Sequence, residues 1–504
     1  MKGLTGILLA SALLPLLAAC GGAGGSYTLG GTVSGLRGRL ALANDGDRVT
    51  ITENGPFAFP NKLPNGARYR VTIETPPLFE RCTVANGEGT VRGADVRDVA
   101  VTCEDKAWQG PQGLEPDLAG DAHRVQAALA GNTPLVAWEE RHKIYLTTGG
   151  EGGWSDPEPV AQNDADSLGL AGNPSGFAAM AWTELDGGVH RVFARVYSGG
   201  RWSGDRALSQ AGRESLYAAL AVNDVEGAAA AWSDHKGNPR IAVSRYRQGA
   251  WTAPVYLSAA GTVALMPAAA VNNRGEVLVA WVQQSKVYAS VYENGRWGAP
   301  EQLPGNLQTN LDVHVFLDDA GRGYAVWRAI DANRQRLTLA VRAGGAWSAM
   351  PLGVNAPGEP VLAGSRRRGT VAVVWTDWLG PPTRAVWVRL YENGRWGDPI
   401  LLSLPDTEAE GPAAAMDERG NTLVAWQQPG AGGHPPQIFA AFRQYGEWAK
   451  PAGPNDLLSF AGRVVRPASS EGSPGVALAR GRALVAWSQD DGQRTDRASA
   501  NLYR

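Results

Sequence analysis

The stretch Tyr292-Glu-Asn-Gly-Arg-Trp-Gly-Ala-Pro300 returns almost unchanged as Tyr391-Glu-Asn-Gly-Arg-Trp-Gly-Asp-Pro399. Looser copies place one tryptophan every 46 to 52 residues, at positions 108, 154, 202, 251, 297, 347, 396 and 448. A second series ends short apolar runs and alternates with the first, at positions 138, 182, 232, 281, 327, 375, 426 and 487. The two series together use sixteen of the eighteen tryptophans, and self-similarity at a fixed period predicts stacked supersecondary units.

One repeat shows what the unit is. Its apolar segments 216–222, 228–232, 240–246 and 251–257 have the length and composition of strands. Turn residues such as Asn223, Gly227 and Gly249 separate them. Four antiparallel strands in about 48 residues are typical of a β-propeller blade and not of a helical solenoid.

Alanine and tryptophan occupy different strands of the repeat. First strands are rich in alanine, as in segments 127–130, 218–221, 268–270 and 413–415. Small side chains suit an axis where sheets converge, whereas a gap of roughly 10 Å between facing sheets needs large ones. We therefore expect all sixteen repeated tryptophans to be buried between sheets.

The two ends of the repeat region complement each other. Trp108 is a fourth-strand tryptophan with no strands before it, and Trp487 lies on a second strand that only segment 497–503 follows. Joining the ends would complete one more unit and cover both sheet edges. The predicted fold class is all-β, with an eight-bladed β-propeller over residues 105–504 that is closed by N- and C-terminal strands.

The first twenty residues predict an export signal. Lys2 precedes an apolar run over residues 4–17, which is too short and too early for a stop-transfer helix. The run ends Leu17-Ala-Ala-Cys-Gly21, which resembles the lipobox of bacterial lipoproteins. The resemblance implies cleavage before Cys20, attachment of acyl chains such as palmitate, and anchoring in the outer membrane, with residues 21–26 as a flexible tether. An ordinary secretory signal with an incidental cysteine is the alternative.

Residues 27–104 contain no tryptophan and follow a period of two. Six or seven short antiparallel strands, separated by Asn-Gly and Asp-Gly turns, predict a small β-sandwich. The segment resembles immunoglobulin-like or prealbumin-like modules of bacterial surface lipoproteins, which implies a spacer or docking role. In an exported protein the pair Cys82 and Cys103 predicts a disulfide, and a buried reduced pair is the alternative.

The connections between strands indicate where a ligand could bind. First-to-second and third-to-fourth turns are short and alike, whereas second-to-third loops are longer and differ from blade to blade. Variable loops on a rigid ring are where binding sites are usually built. Candidate residues of this predicted binding face are His142, His190, His235, Trp378 and His434.

Composition and motifs favour binding over catalysis. A net charge of −2 argues against nucleic-acid partners, which need a basic face. No P-loop, G-x-S-x-G or H-E-x-x-H motif occurs, and the histidines are too scattered for zinc, so we expect no catalytic residue, metal or cofactor. The predicted function is a monomeric, membrane-anchored scaffold for a protein partner. A glycan-binding propeller, or a sialidase-like glycoside hydrolase suggested by the Gly-x-Trp turn endings, is the alternative.

Overall fold

The computed structural model describes residues 25–115, 120–305, 307, 309–331, 334–352, 354, 357–380, 383–405, 407–429, 435–461, 465, 473–490 and 495–504. Strands and turns account for these residues, and the described part of the chain has no helix that could cross a membrane. The predicted all-β class is confirmed. The chain divides into two compact units between Asp105 and Lys106. The signal segment with Cys20 lies outside the described residues.

The first unit contains two main sheets around one core. The larger sheet has the order Gly55–Ala58, Leu29–Ser34, Val96–Asp105, Glu80–Ala85; the smaller has the order Asp47–Ile51, Leu40–Asn44, Thr72–Thr75; two further pairs join Ser26–Tyr27 to Leu63–Pro64 and Arg68–Arg70 to Glu88–Thr90. Buried Leu29 and Val99 of the larger sheet share a core with Leu40 and Leu42 of the smaller one. Both sheets therefore depend on the same apolar cluster.

The expectation of a wholly antiparallel first unit is wrong at one pairing. Val96–Asp105 runs parallel to Leu29–Ser34. A parallel pair needs a long crossover connection, and here the rest of the unit supplies it because these strands lie near its two ends. The same strand Val96–Asp105 pairs antiparallel with Glu80–Ala85, which places Cys103 directly opposite Cys82. The predicted disulfide between them is confirmed.

The second unit consists of eight consecutive antiparallel sheets, which we number 1 to 8 in chain order. The first strands are Ala122–Ala130, Ala165–Gly172, Ser215–Val222, Ala264–Val271, Thr309–Leu317, Val361–Ser365, Glu410–Met416 and Gly475–Ala479. The second strands are Thr133–Glu140, Ala178–Asp186, Ala228–Asp234, Val277–Gln283, Gly323–Asp331, Thr370–Gly380, Thr422–Pro429 and Arg482–Asp490. The third strands are Lys143–Gly150, Val189–Ser198, Arg240–Arg247, Lys286–Glu293, Arg334–Ala343, Thr383–Glu392, Pro436–Gln444 and Asp496–Tyr503.

The fourth strands are short and in most sheets interrupted. In chain order from sheet 1 they are Gly153–Trp154 with Glu158–Ala161, Arg201–Trp202 with Arg206–Ala207, Ala250–Trp251 with Val255–Tyr256, Arg296–Trp297 with Glu301–Gln302, Ala346–Pro351, Arg395–Trp396 with Ile400–Leu401, and Glu447–Ala449. Continuous fourth strands expected from the sequence are thus found only in sheets 5 and 7 among the described residues. The interruptions leave the outer edge of most sheets short, which limits edge-to-edge pairing with other chains.

Sheet 8 takes its fourth strand from the beginning of the unit. Gln112–Gly113 pairs antiparallel with Asp496–Tyr503. Upstream of this strand, Trp108 forms an isolated bridge with Tyr503, and the centroids of their rings lie 5.5 Å apart. The final strand is therefore held from both sides, since it also pairs with Arg482–Asp490.

The sheets pack in cyclic order through their first strands. Each first strand contacts the first strand of the next sheet, and that of sheet 8 contacts that of sheet 1. Many of the side chains on these strands are alanine, as the sequence pattern predicts, but larger ones also lie at the contacts, such as Phe316 of sheet 5 opposite Gly364 of sheet 6. The second unit is therefore propeller-like, with the first strands innermost.

The two tryptophan series are buried to different degrees. All eight second-strand tryptophans are at most 2% exposed and are among the largest fully buried side chains. The tryptophans of the other series are only half-buried, so the expectation that all sixteen fill the interior is correct for one series and too strong for the other. These tryptophans pack at the outer margin of the cores between neighbouring sheets, as Trp154 does for sheets 8 and 1 and Trp297 for sheets 3 and 4.

This difference predicts unequal costs of truncation. Trp281→Ala should lower the free energy of unfolding by about 3–5 kcal/mol, because it leaves a large cavity in the core between sheets 3 and 4 that cannot fully collapse. Trp297→Ala, whose ring lies half-exposed beside Tyr292, should cost about 1–2 kcal/mol. Urea unfolding of both variants measures the difference. Equal costs would contradict the distinction between the two series.

The repeated Tyr-Glu-Asn-Gly-Arg-Trp motif also ties neighbouring sheets together. Glu293 of sheet 4 accepts two hydrogen bonds from Arg342 of sheet 5, at 2.7 and 3.2 Å. Glu392 of sheet 6 accepts two from Arg443 of sheet 7, both at 3.0 Å. Bidentate pairs of this kind fix geometry as well as adding energy. The glutamate of the motif therefore serves the contact between sheets.

The first-to-second turns form a hydrogen-bonded belt. The Asn223 side-chain oxygen accepts from the backbone N–H groups of Val225 and Gly227, which closes its own turn. The amide nitrogen of Asn223 donates to the backbone oxygen of Asn272 in the next sheet, and Asn173 donates in the same way to Asn223. These turns therefore have a structural role, as the sequence analysis expected of them.

Candidate ligand-binding cavity

One cavity of about 840 Å³ is lined by the first strands of all eight sheets. It lies toward the end at which these strands begin. Neighbouring antiparallel strands run in opposite directions, so the second and fourth strands end where the first strands begin. The second-to-third loops and the fourth-to-first connections therefore lie at this end too. We call this the variable-loop end and the opposite one the turn end. A concave site of this volume is within the usual range for binding a small molecule.

Six of the first strands carry a β-bulge at the equivalent position. In each, the pairing with the second strand shifts by one residue around a residue with positive φ. These bulge residues are Arg124 (48°), Ser167 (56°), Tyr217 (58°), Met266 (53°), Asp312 (55°) and Gly411 (54°). All six line the cavity. A bulge leaves one residue unpaired and changes the direction of its side chain, so each of these sheets offers one residue to the cavity.

Sheets 2 to 4 provide the apolar side of the cavity. Tyr217 and Met266 are 43% and 45% exposed, although both lie in strands that are otherwise rich in alanine. Leu168 and Pro267 line the same side. Large apolar side chains that are exposed next to one another inside a cavity are typical of a ligand contact surface.

Sheets 5 to 7 provide a charged side. Arg328 lies 2.7 Å from the Asp312 carboxylate, and burial raises the pKa of Asp312 against the effect of this arginine. His314 lies 3.9 Å from Glu359 and lowers the pKa of that carboxyl. Burial, together with Glu408, raises the pKa of Glu410. Three carboxyl groups therefore face one cavity, where their oxygens can accept hydrogen bonds.

The buried Glu139 holds the guanidinium group of Arg124, the residue of sheet 1 that lines the cavity. The Glu139 side chain is 3% exposed and accepts a hydrogen bond from Arg124 at 2.9 Å. Its other carboxylate oxygen accepts from the backbone N–H of Leu168 in sheet 2, at 3.2 Å. Arg124 also contacts Asp166. The Arg124 guanidinium is therefore fixed in position by groups from two sheets.

The rim of the cavity at sheet 6 carries an aromatic ring. Trp378, 38% exposed, lies on the second strand near its end, and the guanidinium of Arg384 packs over its ring at 4.7 Å from the centroid. Arg384 and Thr376 line the cavity. The sequence analysis selected Trp378 because it belongs to neither series, and the structure places it beside a cavity residue.

Arg366 of sheet 6 reaches residues of sheets 3 and 4 at the turn end. Its guanidinium donates to Asp224 at 3.1 Å and to the backbone oxygen of Val271 at 3.0 Å. It also contacts the backbone oxygen of Val222. These partners are 95 to 144 residues away in the chain. The side chain therefore crosses between non-adjacent sheets, which indicates that the space inside the first strands is closed at this end.

Of the predicted histidines, the described ones, His142, His190 and His235, do not line the cavity. His142 and His190 lie 3.1 and 3.5 Å from the two carboxylate oxygens of Asp164, and His190 lies 2.8 Å from Glu214. Burial lowers the pKa of His235, which lies on the neighbouring loop. His434 lies outside the described residues. The structure thus joins His142 to His190, which the sequence suggested as separate residues, through shared contacts with Asp164 across sheets 1 to 3.

No metal centre is found in the part of the chain that the structure describes. There is no group of three or more histidine, cysteine, aspartate or glutamate side chains close enough to hold an ion. The contacts of His142 and His190 with Asp164 run along the loops. They tie neighbouring loops together at the variable-loop end.

Sequence reasoning missed the bulge residues and Arg366. A signal for the first was available, because Tyr217 and Met266 are large residues placed directly before or within alanine-rich first strands. A signal for the second was the run Arg366-Arg-Arg368 in a turn whose equivalents begin with asparagine or aspartate. Neither signal tells which direction a side chain takes, because that depends on the register shift at each bulge.

Comparison with known proteins gives only distant matches. No protein-family model matches the chain, and no curated protein does. Among solved structures, an ulvan lyase of polysaccharide lyase family 25 is 8% identical with a TM-score of 0.45, covering 67% of this chain and 96% of the lyase. A protein of unknown function from Dyadobacter fermentans is 11% identical with a TM-score of 0.41, covering 79% of this chain and 98% of its own.

A third solved structure is the α-L-arabinanase of Penicillium chrysogenum in complex with arabinobiose. It is 12% identical with a TM-score of 0.35, and the match covers 57% of this chain and 98% of the arabinanase. All three TM-scores lie below 0.5. The similarities therefore carry no conclusion about the ligand or the activity of this chain, and its function is argued below from its own residues.

Proposed function

We propose that the chain is a carbohydrate-binding protein that holds its ligand in the central cavity. The observation that carries this proposal is the two-sided lining, with exposed Tyr217 and Met266 on one side and Asp312, Glu359 and Glu410 on the other. A sugar ring has apolar C–H faces and hydroxyl groups at its edge. It can therefore use both sides at once, whereas a purely apolar or purely ionic ligand would leave one side without a complementary partner.

We infer that the second unit is a closed eight-bladed propeller, which gives this cavity a rigid wall. The cyclic contacts of the first strands support closure, as does the sheet that combines Gln112–Gly113 with the C-terminal strand. We also propose an immunoglobulin-like or prealbumin-like sandwich for the first unit, supported by two sheets around one core. The lipobox-like segment supports anchoring through Cys20 in the outer membrane.

A protein partner at the variable-loop end is the second candidate. The observation that favours it is the exposed pair Trp378 and Leu379, at 38% and 40%, near the end of the second strand of sheet 6. From the sequence we preferred this function because Trp378 was the only aromatic residue of the variable loops that stood out as unused by the two tryptophan series. The structure adds Tyr217 inside the cavity, and this exposed aromatic side chain moves our preference to a carbohydrate.

A glycan array probed with the full-length chain in detergent tests the proposal. We expect strong signals for a restricted set of oligosaccharides, and the best-bound one should be used in isothermal titration. Glu359→Ala should weaken its binding about tenfold, because hydrogen bonds to charged groups contribute about 1.5–3 kcal/mol. Glu151→Ala is the matched control, since this exposed glutamate lies in a turn at the opposite end.

Other outcomes of these measurements would favour other functions. An array without signals, together with a protein crosslinked at Trp378 in the cell envelope, would replace the carbohydrate by a protein partner. Release of the fluorophore from a fluorogenic sialoside by the wild-type chain would make the protein an enzyme of the alternative class.

A further inference from the structure

We propose that the positive-φ residues of the six bulges form the ligand-contacting ring of the cavity, with Tyr217 and Met266 as the surface on which one sugar ring stacks. This inference rests on the carbohydrate-binding function proposed above and adds the residues that contact the sugar. It concerns binding alone and includes no chemical step.

Backbone conformation is the first argument. A positive φ is easy for glycine but costs other residues about 1 kcal/mol or more, and tyrosine and methionine lack the short polar side chain that eases it for aspartate or asparagine. Five of the six bulge positions are nevertheless not glycine. If these positions served only the fold, glycine would suit each of them, as it does at Gly411. Their side chains therefore have a use that outweighs the strain.

The six bulge positions share one backbone conformation but carry six different residue types. The same bulge occurs in sheets 1 to 5 and in sheet 7. In that order, the bulge residue carries a guanidinium, a hydroxyl, a phenol, a thioether and a carboxylate group, and in sheet 7 it is a glycine. Elsewhere the repeat keeps the same residue type at equivalent positions, as with the second-strand tryptophans. A position with fixed geometry and varied chemistry is suited to recognising an asymmetric ligand.

The exposure of the Tyr217 and Met266 side chains also supports a ligand-contacting role. Tyr217 and Met266 are 43% and 45% exposed, so they gain little of the burial that would offset a strained backbone. They lie on adjacent sheets and line one side of the cavity. A ligand that covers them would recover part of the burial energy of a large apolar side chain, which is about 1.5–3 kcal/mol.

The polar bulge residues flank this apolar surface. On one side Asp312 is held by Arg328 at 2.7 Å. On the other side Arg124 is held by the buried Glu139 at 2.9 Å. Because both polar groups are fixed by neighbours, they can direct hydrogen bonds to hydroxyl groups at the edge of a sugar ring without first being ordered. The ring of bulges thus has a stacking surface between two fixed polar groups.

Tyr217→Gly and Met266→Gly test the inference, because stability and binding should change in opposite directions. Relief of the positive φ should raise the midpoint of thermal unfolding by about 1–2 °C, while affinity for the best-bound oligosaccharide of the array should fall at least tenfold. The control is Tyr445→Gly, since Tyr445 also has a positive φ (52°) and is 37% exposed but lies in a turn of sheet 7 outside the cavity. Its affinity should match that of the wild type.

Two results would overturn the assignment. A fall in the unfolding midpoint of both cavity variants would show that these side chains serve the fold. Wild-type affinity retained in both variants would show that the sugar binds elsewhere, and would leave the proposed function standing. Failure of the wild-type chain to bind any sugar of the array would instead overturn the proposed function, and this assignment with it.

Discussion

Deletion of residues 496–504 is expected to abolish the cooperative unfolding transition of the second unit. The deleted strand Asp496–Tyr503 pairs on one side with Arg482–Asp490 and on the other with Gln112–Gly113. Its buried Ala498 and Ala500 belong to a core shared by sheets 8 and 1. Without the strand both neighbours keep unpaired edges and the shared core is open to water. The loss should exceed the whole stability of a typical domain, about 5–15 kcal/mol.

Differential scanning calorimetry of the deletion variant measures this effect. Deletion of Arg504 alone is the control, because it removes one backbone hydrogen bond, from Arg504 to the oxygen of Ala107 at 3.3 Å, and leaves the strand pairing intact. The control should unfold within a few degrees of the wild type. If the longer deletion kept the wild-type transition, the inference of a ring closed by its two ends would be wrong.

Glu115→Gln is expected to stabilise the protein above pH 8 by up to about 5 kcal/mol. Glu115 is 3% exposed, and its carboxyl accepts a hydrogen bond from the backbone N–H of Ala498 in the final strand. Burial raises the pKa of Glu115 to about 8, and the neighbouring Glu140 adds to the effect while Arg497 opposes it. Glutamine cannot ionise, so it retains an acceptor for Ala498 without burying a negative charge.

The direction of the pH dependence follows from the difference between the folded and unfolded pKa values. In the folded chain the pKa of Glu115 is about 8, and its ordinary value is 4.5, so the folded state binds the proton more tightly. The resulting stability is fully present below pH 4.5, decreases between pH 4.5 and 8, and is lost above pH 8. The variant should resemble the wild type at pH 4 and be more stable than it at pH 9.

Urea unfolding at pH 4, 7 and 9 measures this difference. Glu301→Gln is a suitable control, because Glu301 is exposed on a fourth strand of sheet 4 and its substitution should change the unfolding midpoint equally little at each pH. A Glu115→Gln variant that is less stable than the wild type at pH 9 would show that the carboxylate is ionised and favourably paired. The same result would show that ionisation of Glu115 does not weaken the attachment of the final strand.

Much of the fold follows from local patterns. The spacing of Trp281 and its equivalents predicts the sheets, because one large side chain per repeat must fill the space between two of them. The pair Cys82 and Cys103 predicts its own bond, since a chain that is predicted to be exported and has two remaining cysteines has one way to pair them. The half-burial of Trp297 and its equivalents was not predicted, because the repeat spacing does not show how far the neighbouring sheet covers a ring on the outermost strand.

The candidate site was predicted only in part. The sequence predicted a binding face at the variable loops, and one of its residues, Trp378, does lie at the rim of the cavity. It did not select Tyr217 or Met266, because a period-two pattern says nothing about a single residue that drops out of register. His142 and His190 were selected as loop residues, and both contact Asp164 outside the cavity.

The sequence by itself determined the all-β class, the number of repeats, and the residues that fill the spaces between sheets, because each of these depends on a periodicity that neighbouring residues already contain. Only the tertiary structure decided which side chains face the cavity, how Arg366 reaches two distant sheets, and why Glu115 meets the final strand. These contacts join residues 95 to 383 positions apart. Such contacts depend on strand register and on the direction of each side chain, which are set when the sheets pack together.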